Sequence, residues 1–183
     1  MPDFIKIDNL AKVLQAINDL AGKDVLVGIP DSAPEREPDD DGGMPPPSNA
    51  VIGYMQETGM PEHNVPARPF LVPGVASVQD KVASRLGKAA EAVLNGDKSG
   101  AESQMGRAGL EAQNAVRARI NSGIGPALSE ATLRQRARRG RKGAALELER
   151  RAGGMEPSTE YAKPLVDTGQ LRNSITYVIR KKS

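Results

Sequence analysis

The segment "NVPARPFLVP", residues 64–73, separates stretches whose composition favours helices. It contains three prolines, one arginine and one of the two phenylalanines in the chain. Proline fixes the backbone φ angle and disfavours a helical conformation at the preceding residue, so the pattern predicts a stiff, extended strip. We expect Phe70 and Leu71 to enter the domain core and Arg68 to pair locally. Alternatively, the strip lies at a subunit boundary, where its rigidity lowers the entropy cost of association.

Upstream of the strip, the sequence predicts a helix followed by a strand. Apolar residues between positions 10 and 20 recur at helical spacing, with Asp8 as the N-cap and Gly22 as the stop. The run "DVLVGIP", residues 24–30, is rich in β-branched residues and ends in proline, which predicts a short buried strand.

Three further helices are predicted around the strip. The first covers residues 49–59, with Asn49 as the cap and Gly59 as the stop. The other two are long and amphipathic: apolar residues recur every three or four positions over 75–93 and again over 105–120.

The C-terminal part of the sequence predicts one helical turn, capped by Asp167 or Thr168, and then a strand. Apolar and polar residues alternate over 174–180, as in a half-buried strand. The predicted fold is a single α+β domain, 1–183, with a small antiparallel sheet packed against the two long helices. Two strands alone are marginally stable, so we expect a third from the loop before Ala50 or from another subunit.

The composition excludes several classes of protein. Among the 183 residues there is no cysteine, which excludes disulfides, thiolate zinc sites and cysteine nucleophiles. Aromatic residues make up 3% of the chain, so part of it is expected to order only against a partner. The sequence contains no apolar run long enough to cross a bilayer, and its start lacks the features of a signal peptide. We therefore expect a soluble protein in a cytoplasm-like compartment, with no membrane contact.

The net charge of +2 conceals two blocks of opposite sign. Residues 31–41 contain six acids and a single base, Arg36, within an acidic loop rich in proline and glycine that spans 31–48. Residues 134–142, named here the basic segment, contain six bases and no acid. These bases are Arg134, Arg136, Arg138, Arg139, Arg141 and Lys142.

The basic segment lies in a region, residues 129–160, that we expect to be an arm followed by a loop. Ser129 is positioned to cap a short helix there, but the helix contains too few apolar residues to hold it against a core. Two functions fit the charge: non-specific contact with DNA phosphates, or docking on an acidic partner. Because no aromatic residue lies among the arginines, stacking on single-stranded bases is not expected.

The sequence predicts no enzyme, cofactor site or metal site. His63 is the one histidine, and its spacing from Glu57 and Glu62 matches no metalloprotease motif. The sequence also contains no phosphate-binding loop and no nucleophile elbow. A metal-dependent hydrolase built on these three residues is kept as an alternative.

Three stretches together resemble a known family. "AVIGYMQETG" (50–59) followed by "NVPARPFLVPGV" (64–75) resembles the IG…E-G…IPARPFLRP passage of small neck and tail proteins of tailed phages. "PLVDTGQLRNSITYVI" (164–179) resembles the PLxxTGxLxxSIxxxV ending of the same proteins, and "DVLVGIP" fits their lead-in. This chain departs from the common pattern in the Met and His before the strip and in its long arginine-rich insertion.

The resemblance implies a structural virion protein of the head–tail joining, neck or tail-completion group, with an α+β fold and no enzymatic activity. The positions that match the motifs are structural ones in that family: Arg68, Pro69, Phe70, Gly169, Leu171, Ser174 and Ile175. We expect Pro66, Arg68, Pro69 and Phe70 to lie at a subunit or partner contact.

The resemblance also implies the partners and the location. The protein would be made in the host cytoplasm and built into the virion as a homo-oligomeric ring, a hexamer by expectation, with a twelvefold ring as the alternative. Its neighbours would be neck, tail-terminator or tail-tube proteins, and the basic segment would face either these proteins or the packaged DNA. The alternative function is a free-standing, non-specific nucleic-acid-binding protein that acts through the basic segment.

Overall fold

The computed structural model describes residues 10–30 and 47–182. In chain order they form α1 (Leu10–Ala21), β1 (Lys23–Gly28), α2 (Asn49–Thr58), a 3₁₀ turn (Pro61–His63), α3 (Leu71–Ala76), α4 (Gln79–Leu94), α5 (Lys98–Asn121), α6 (Glu130–Arg138), α7 (Lys142–Ala152), α8 (Gln170–Ser174) and β2 (Thr176–Lys181). The chain is mixed α+β, with a small antiparallel sheet packed against long helices, as predicted. No helix within the described ranges is long and apolar enough to cross a membrane.

Most predicted elements are present, with differences at their ends. The Ser48 hydroxyl, not Asn49, caps α2 by accepting a hydrogen bond from Val51 N at 3.3 Å. The long helix predicted from Val75 is two helices, because the chain turns between α3 and α4. The predicted Asp8 cap and most of the acidic loop (31–46) lie outside the described residues.

The described residues divide into two compact units. Unit 1 consists of residues 10–27, 78–112 and 177–182, and unit 2 of residues 28–30, 47–77 and 113–176. Helix α5 is continuous through the division, since its first fifteen residues belong to unit 1 and the remainder to unit 2. The single-domain interpretation stays a prediction.

The core of unit 1 is built mainly from small side chains on its three helices. Its buried residues are Ala16 of α1, Ala89 and Val93 of α4, and Ala101 and Met105 of α5. Val25 of β1 packs against them, so one face of the sheet lies on the helices. Alanines at these positions allow helices to approach closely without large aromatic side chains.

The sheet pairs the two strands that the sequence places far apart. Lys182 N donates to Gly22 O at 2.7 Å, which places Leu26 opposite Val178 in the antiparallel register. Both side chains are exposed, so β1 is half-buried and not the buried strand that was predicted. The expected third strand is not found among residues 10–30 and 47–182.

Unit 2 contains the strip and the basic segment. In α6 and α7, Leu133 and Ala144 are fully or almost fully buried and form a cluster with Leu128 and Ala162. The expectation that α6 has too little apolar surface to contact a core is therefore wrong. One buried leucine is enough to anchor α6, because Ala144 of α7 and Ala162 of the loop after α7 pack against the same cluster.

Candidate functional site

Glu57 of α2 holds the start of α3. Its carboxylate accepts hydrogen bonds from the backbone N–H groups of Phe70 (2.6 Å), Leu71 (2.8 Å) and Val72 (3.1 Å). The first N–H groups of a helix have no partner inside it, and a carboxylate at this end also interacts favourably with the helix dipole. Because α3 has no cap from its own N-cap residue, Glu57 takes that role from another helix.

Arg68 turns inward and pairs with backbone and amide oxygens. Its side chain donates to Pro126 O at 3.0 Å from Nη2 and at 3.3 Å from Nε, and to Gln56 Oε1 at 3.4 Å. The residue is 6% exposed, and burial lowers the pKa of its guanidinium. The expectation that Arg68 pairs locally is therefore wrong, because its main acceptor is a carbonyl 58 positions away.

The two motif-bearing stretches meet around Phe70, which is 2% exposed. A Cβ atom placed on Gly53 of α2 would lie 3.7 Å from Phe70 Cζ, 3.6 Å from Leu171 Cδ1 and 2.8 Å from Ile29 Cδ1. Ile175 is fully buried in the same unit, and its carbonyl accepts from Arg117 Nη2 at 2.7 Å. Residues of the strip and of the C-terminal motif, about a hundred positions apart, therefore share one packed framework.

An apolar surface lies over this framework. A pocket of ≈330 Å³ is lined by Ile29, Ala50, Tyr54, Phe70, Leu71 and Ile175, among others. Val51 and Tyr54 share a face of α2 because they are three positions apart, and Tyr54 is 70% exposed. Val72, whose N–H bonds to Glu57 one turn further along α2, is 69% exposed. We name Val51, Tyr54, Val72 and the pocket the apolar surface.

The strip divides into buried and exposed members. Arg68 and Phe70 lie inside unit 2, as the core interpretation predicts, and Leu71 is half-buried. Pro66, Pro69 and Val72 are exposed, so these members of the strip are available for contact with a partner. The strip is not extended to its end: Pro73 lies in the first turn of α3, where a helix tolerates proline.

The basic segment is folded, and half of its charges converge on one carboxylate. Asp167 lies 3.0 Å from Arg141 Nε and 3.8 Å from the nearest nitrogens of Arg136 and Arg139. Arg136 also donates to the carbonyls of Lys163, Pro164 and Val166 at 2.8–3.1 Å. Burial lowers the pKa of Arg136, and Asp167 opposes that shift. Asp167 therefore anchors arginines. The N-cap of α8 is Gly169, so the predicted cap at Asp167 or Thr168 is wrong, although Thr168 Oγ1 accepts from Gln170 N at 3.4 Å.

The other three bases point to solvent. Arg134 pairs with Glu130 one turn earlier on its own helix. Arg138 and Lys142 are exposed and form no ion pair with another residue of the described ranges. Ser129 caps α6 as predicted, accepting from Thr132 N at 3.3 Å.

Sequence reasoning missed a buried carboxylate in α7. Glu147 is fully buried and accepts hydrogen bonds from Arg150 (2.8 and 2.9 Å), Arg151 Nε (2.9 Å) and Ser158 N (2.8 Å). The bonds from Arg150 lower the pKa of Glu147 to about 2, although burial alone would raise it. The signal that could have found it is the spacing of Glu147 from two arginines three and four positions later.

His63 and Glu62 are exposed on the 3₁₀ turn, and Glu57 is engaged by backbone N–H groups. The three residues do not form a cluster that could hold a metal, and no such cluster of His, Cys, Asp or Glu occurs in the described parts of the chain.

No protein-family model matches this chain, and neither the curated proteins nor the solved structures include a significant match.

Proposed function

We propose that this chain is a structural protein of a tailed-phage virion, a ring subunit at the head–tail junction or at the top of the tail. The observation that carries the proposal is that the motif residues build one framework beneath an exposed apolar surface. Glu57 and Arg68, the charged motif residues, bond backbone groups and so fix the shape of that surface. Charged residues that hold the backbone in place, as these do, are consistent with a structural role in assembly.

The apolar surface supports a subunit contact. Large exposed side chains such as Tyr54 and Val72, placed next to an apolar pocket, are typical of protein–protein interaction sites. A ring subunit covers such a surface with its neighbour, and a head-to-tail contact closes into a ring. The exposed rings of Pro66 and Pro69 add rigid contacts at low entropy cost.

The finer assignments rest on the motif resemblance. The ring is proposed to be a hexamer that contacts neck, tail-terminator or tail-tube proteins in the virion. Enzymatic activity and a cofactor form no part of this proposal.

Self-association of the purified chain tests the proposal. Tyr54→Ser and Val72→Ser should weaken the oligomer about tenfold or more, because each removes an apolar side chain from the contact. Leu110→Ser, at a residue 46% exposed on α5, is the matched control and should leave the oligomer intact. Sedimentation velocity over a range of protein concentrations measures the effect. Equal behaviour of all four proteins would contradict the proposed contact.

Electron microscopy of particles tests the role in the virion. Phage particles made without this protein should show complete heads and complete tails that fail to join, or tails with an unfinished upper end. Normal particles that lack the protein would refute the proposal.

The exposure of Arg138 and Lys142 favours a second candidate, non-specific binding of nucleic acid. If the protein has that function, it should bind duplex DNA at physiological salt. The double variant Arg138→Ala with Lys142→Ala should then reduce both the affinity for DNA and the salt dependence of that affinity. A chain that binds no duplex DNA at low salt would exclude this candidate.

A further inference from the structure

The turn between α6 and α7 holds positive charge at a fixed position. Leu133 and Ala144 anchor the two helices in one buried cluster, so the turn between them is part of a folded element. Arg138 and Lys142 lie at the two ends of that turn, both exposed. Because the backbone that carries these charges is already ordered, binding a partner costs side-chain entropy but little backbone entropy.

Among the residues that the structure describes, the bases of this turn outnumber the carboxylates paired with them, which leaves an excess of positive charge. One carboxylate, Asp167, serves Arg136, Arg139 and Arg141, and neither Arg138 nor Lys142 shares it. Beside the turn is a pocket of ≈240 Å³ whose charged lining consists of Arg136, Arg141, Lys142, Lys163 and Asp167. The pocket is large enough to admit the side chain of an aspartate or a glutamate.

The same chain carries the complementary charge. Residues 31–41 hold six acids against Arg36. The chain enters this acidic segment after Ile29, which lines the pocket of the apolar surface, and leaves it before Ser48, which caps α2. The described residues on either side, Ile29 and the N-terminal end of α2, therefore belong to the region that carries the surface proposed above as the subunit contact.

We propose that the α6–α7 turn binds the acidic segment, residues 31–41, of a neighbouring copy of this chain. The inference rests on the proposed ring and names a second contact within it. A segment attached at a subunit contact is placed to cross that contact, and each copy supplies one acidic segment and one basic turn. A protein carboxylate is favoured over DNA because every copy of the chain supplies six acids in residues 31–41, and because the pocket of ≈240 Å³ beside the turn has room for a single acidic side chain.

Disulfide trapping tests whether the acidic segment at the turn comes from the same copy of the chain or from a neighbouring copy. Because the natural chain has no cysteine, introduced cysteines are the only thiols present. Asp40→Cys and Lys142→Cys, made as separate full-length proteins and mixed under mild oxidation, should give a disulfide-linked dimer. Its yield should exceed by about fivefold the yield with Lys88→Cys, an exposed lysine on α4, in place of Lys142→Cys. In a chain that carries both Asp40→Cys and Lys142→Cys, a bond formed only within the monomer would overturn the proposal.

Charge exchange provides the second test. Arg138→Glu with Lys142→Glu should weaken self-association about tenfold, and so should Asp39→Lys with Asp40→Lys. Combining the four changes should restore it to within about threefold, because the contact is reformed with opposite sign. Variants that lose duplex DNA binding and leave self-association unchanged would overturn the proposal in favour of nucleic acid.

The outcomes separate this inference from the ring itself. If Tyr54→Ser dissociates the oligomer while the charge variants do not, the contact between turn and acidic segment is wrong and the ring stands. A natural chain that stays monomeric at every concentration and forms no mixed disulfide overturns both.

Discussion

At the scale of single residues, two buried or half-buried carboxylates organise unit 2 by accepting several donors each. Glu57 bonds three successive backbone N–H groups, and Glu147 bonds two arginines and one backbone N–H. The role of Glu57 could not be predicted from the sequence, whereas the arginines three and four positions after Glu147 indicate its ion pairs but not its burial or its bond from Ser158 N. The donors to Glu57 lie thirteen to fifteen positions away and reach it only because the chain reverses between α2 and α3.

We predict that Glu57→Ala destabilises the protein by about 1–3 kcal/mol, because it leaves N–H groups at the start of α3 without an acceptor. Glu57→Gln should cost less, since its one carbonyl oxygen still accepts. The free energy of unfolding in urea measures both changes. Glu62→Ala, at an exposed glutamate of the 3₁₀ turn, is the control, and a cost equal to that of Glu57→Ala would contradict the capping role.

Glu147 should make stability depend on pH in the acid range. Its pKa is about 2 in the folded chain against 4.5 ordinarily, so its contribution is present above about pH 4.5 and is lost as the pH falls towards 2. Glu147→Gln should therefore be less stable than the natural chain at pH 7, and the difference should shrink between pH 4.5 and pH 2. Urea midpoints of both proteins at several pH values measure it. A difference that is constant with pH would contradict the prediction.

At the scale of elements, hydrophobic periodicity predicted the helices and strands whose own sequences contain regularly spaced apolar residues. The helices α1, α4 and α5 follow directly from spacing. The strand β2 is present where it was predicted, but its residues do not alternate between buried and exposed, since Val178 and Ile179 are both exposed. The prediction that α6 does not pack against a core was wrong because it considered only the apolar residues of α6 itself. Leu133 is buried by Leu128, Ala144 and Ala162, which come from other parts of the chain, and periodicity does not detect such contacts.

Leu133→Ala should destabilise the α6–α7 pair by about 2–5 kcal/mol, because it empties a fully buried site. Leu146→Ala, on the exposed side of α7, should cost well under half of that. Amide hydrogen exchange over residues 130–152 follows the pair directly. Equal protection in both variants would show that the basic segment does not depend on this core.

At the scale of the whole molecule, many large apolar side chains are exposed to solvent, while many of the buried ones are alanines. Tyr54 and Val72 in unit 2, and Leu14 and Ile17 on α1 in unit 1, all stand at least partly in solvent. The low aromatic content led to the prediction that part of the chain orders only against a partner, which stays a prediction and did not indicate these exposed surfaces. Which apolar residues remain uncovered depends on tertiary packing, so the apolar surface emerged only from the folded chain.

If neighbours cover these surfaces, thermal stability should rise with protein concentration. A tenfold increase should raise the melting temperature of the natural chain by about 2–4 °C, because subunits that bind only when folded shift the unfolding equilibrium. The melting temperature of Tyr54→Ser should respond less, because a weaker contact leaves more of the chain unassembled at both concentrations. Differential scanning calorimetry at two concentrations makes the comparison, and a response equal in both proteins would argue against the apolar surface as the contact.

The pairing of β1 with β2 has a consequence for synthesis. During translation β1 is made about 150 residues before its partner, a delay of roughly 8 to 30 s at ordinary elongation rates. Throughout that interval β1 has no strand to pair with, and one edge of the nascent chain stays open to chaperones. Completion of the sheet is thus a late event that follows the emergence of residue 181 from the ribosome, which delays maturation of unit 1 until nearly all of its sequence is available.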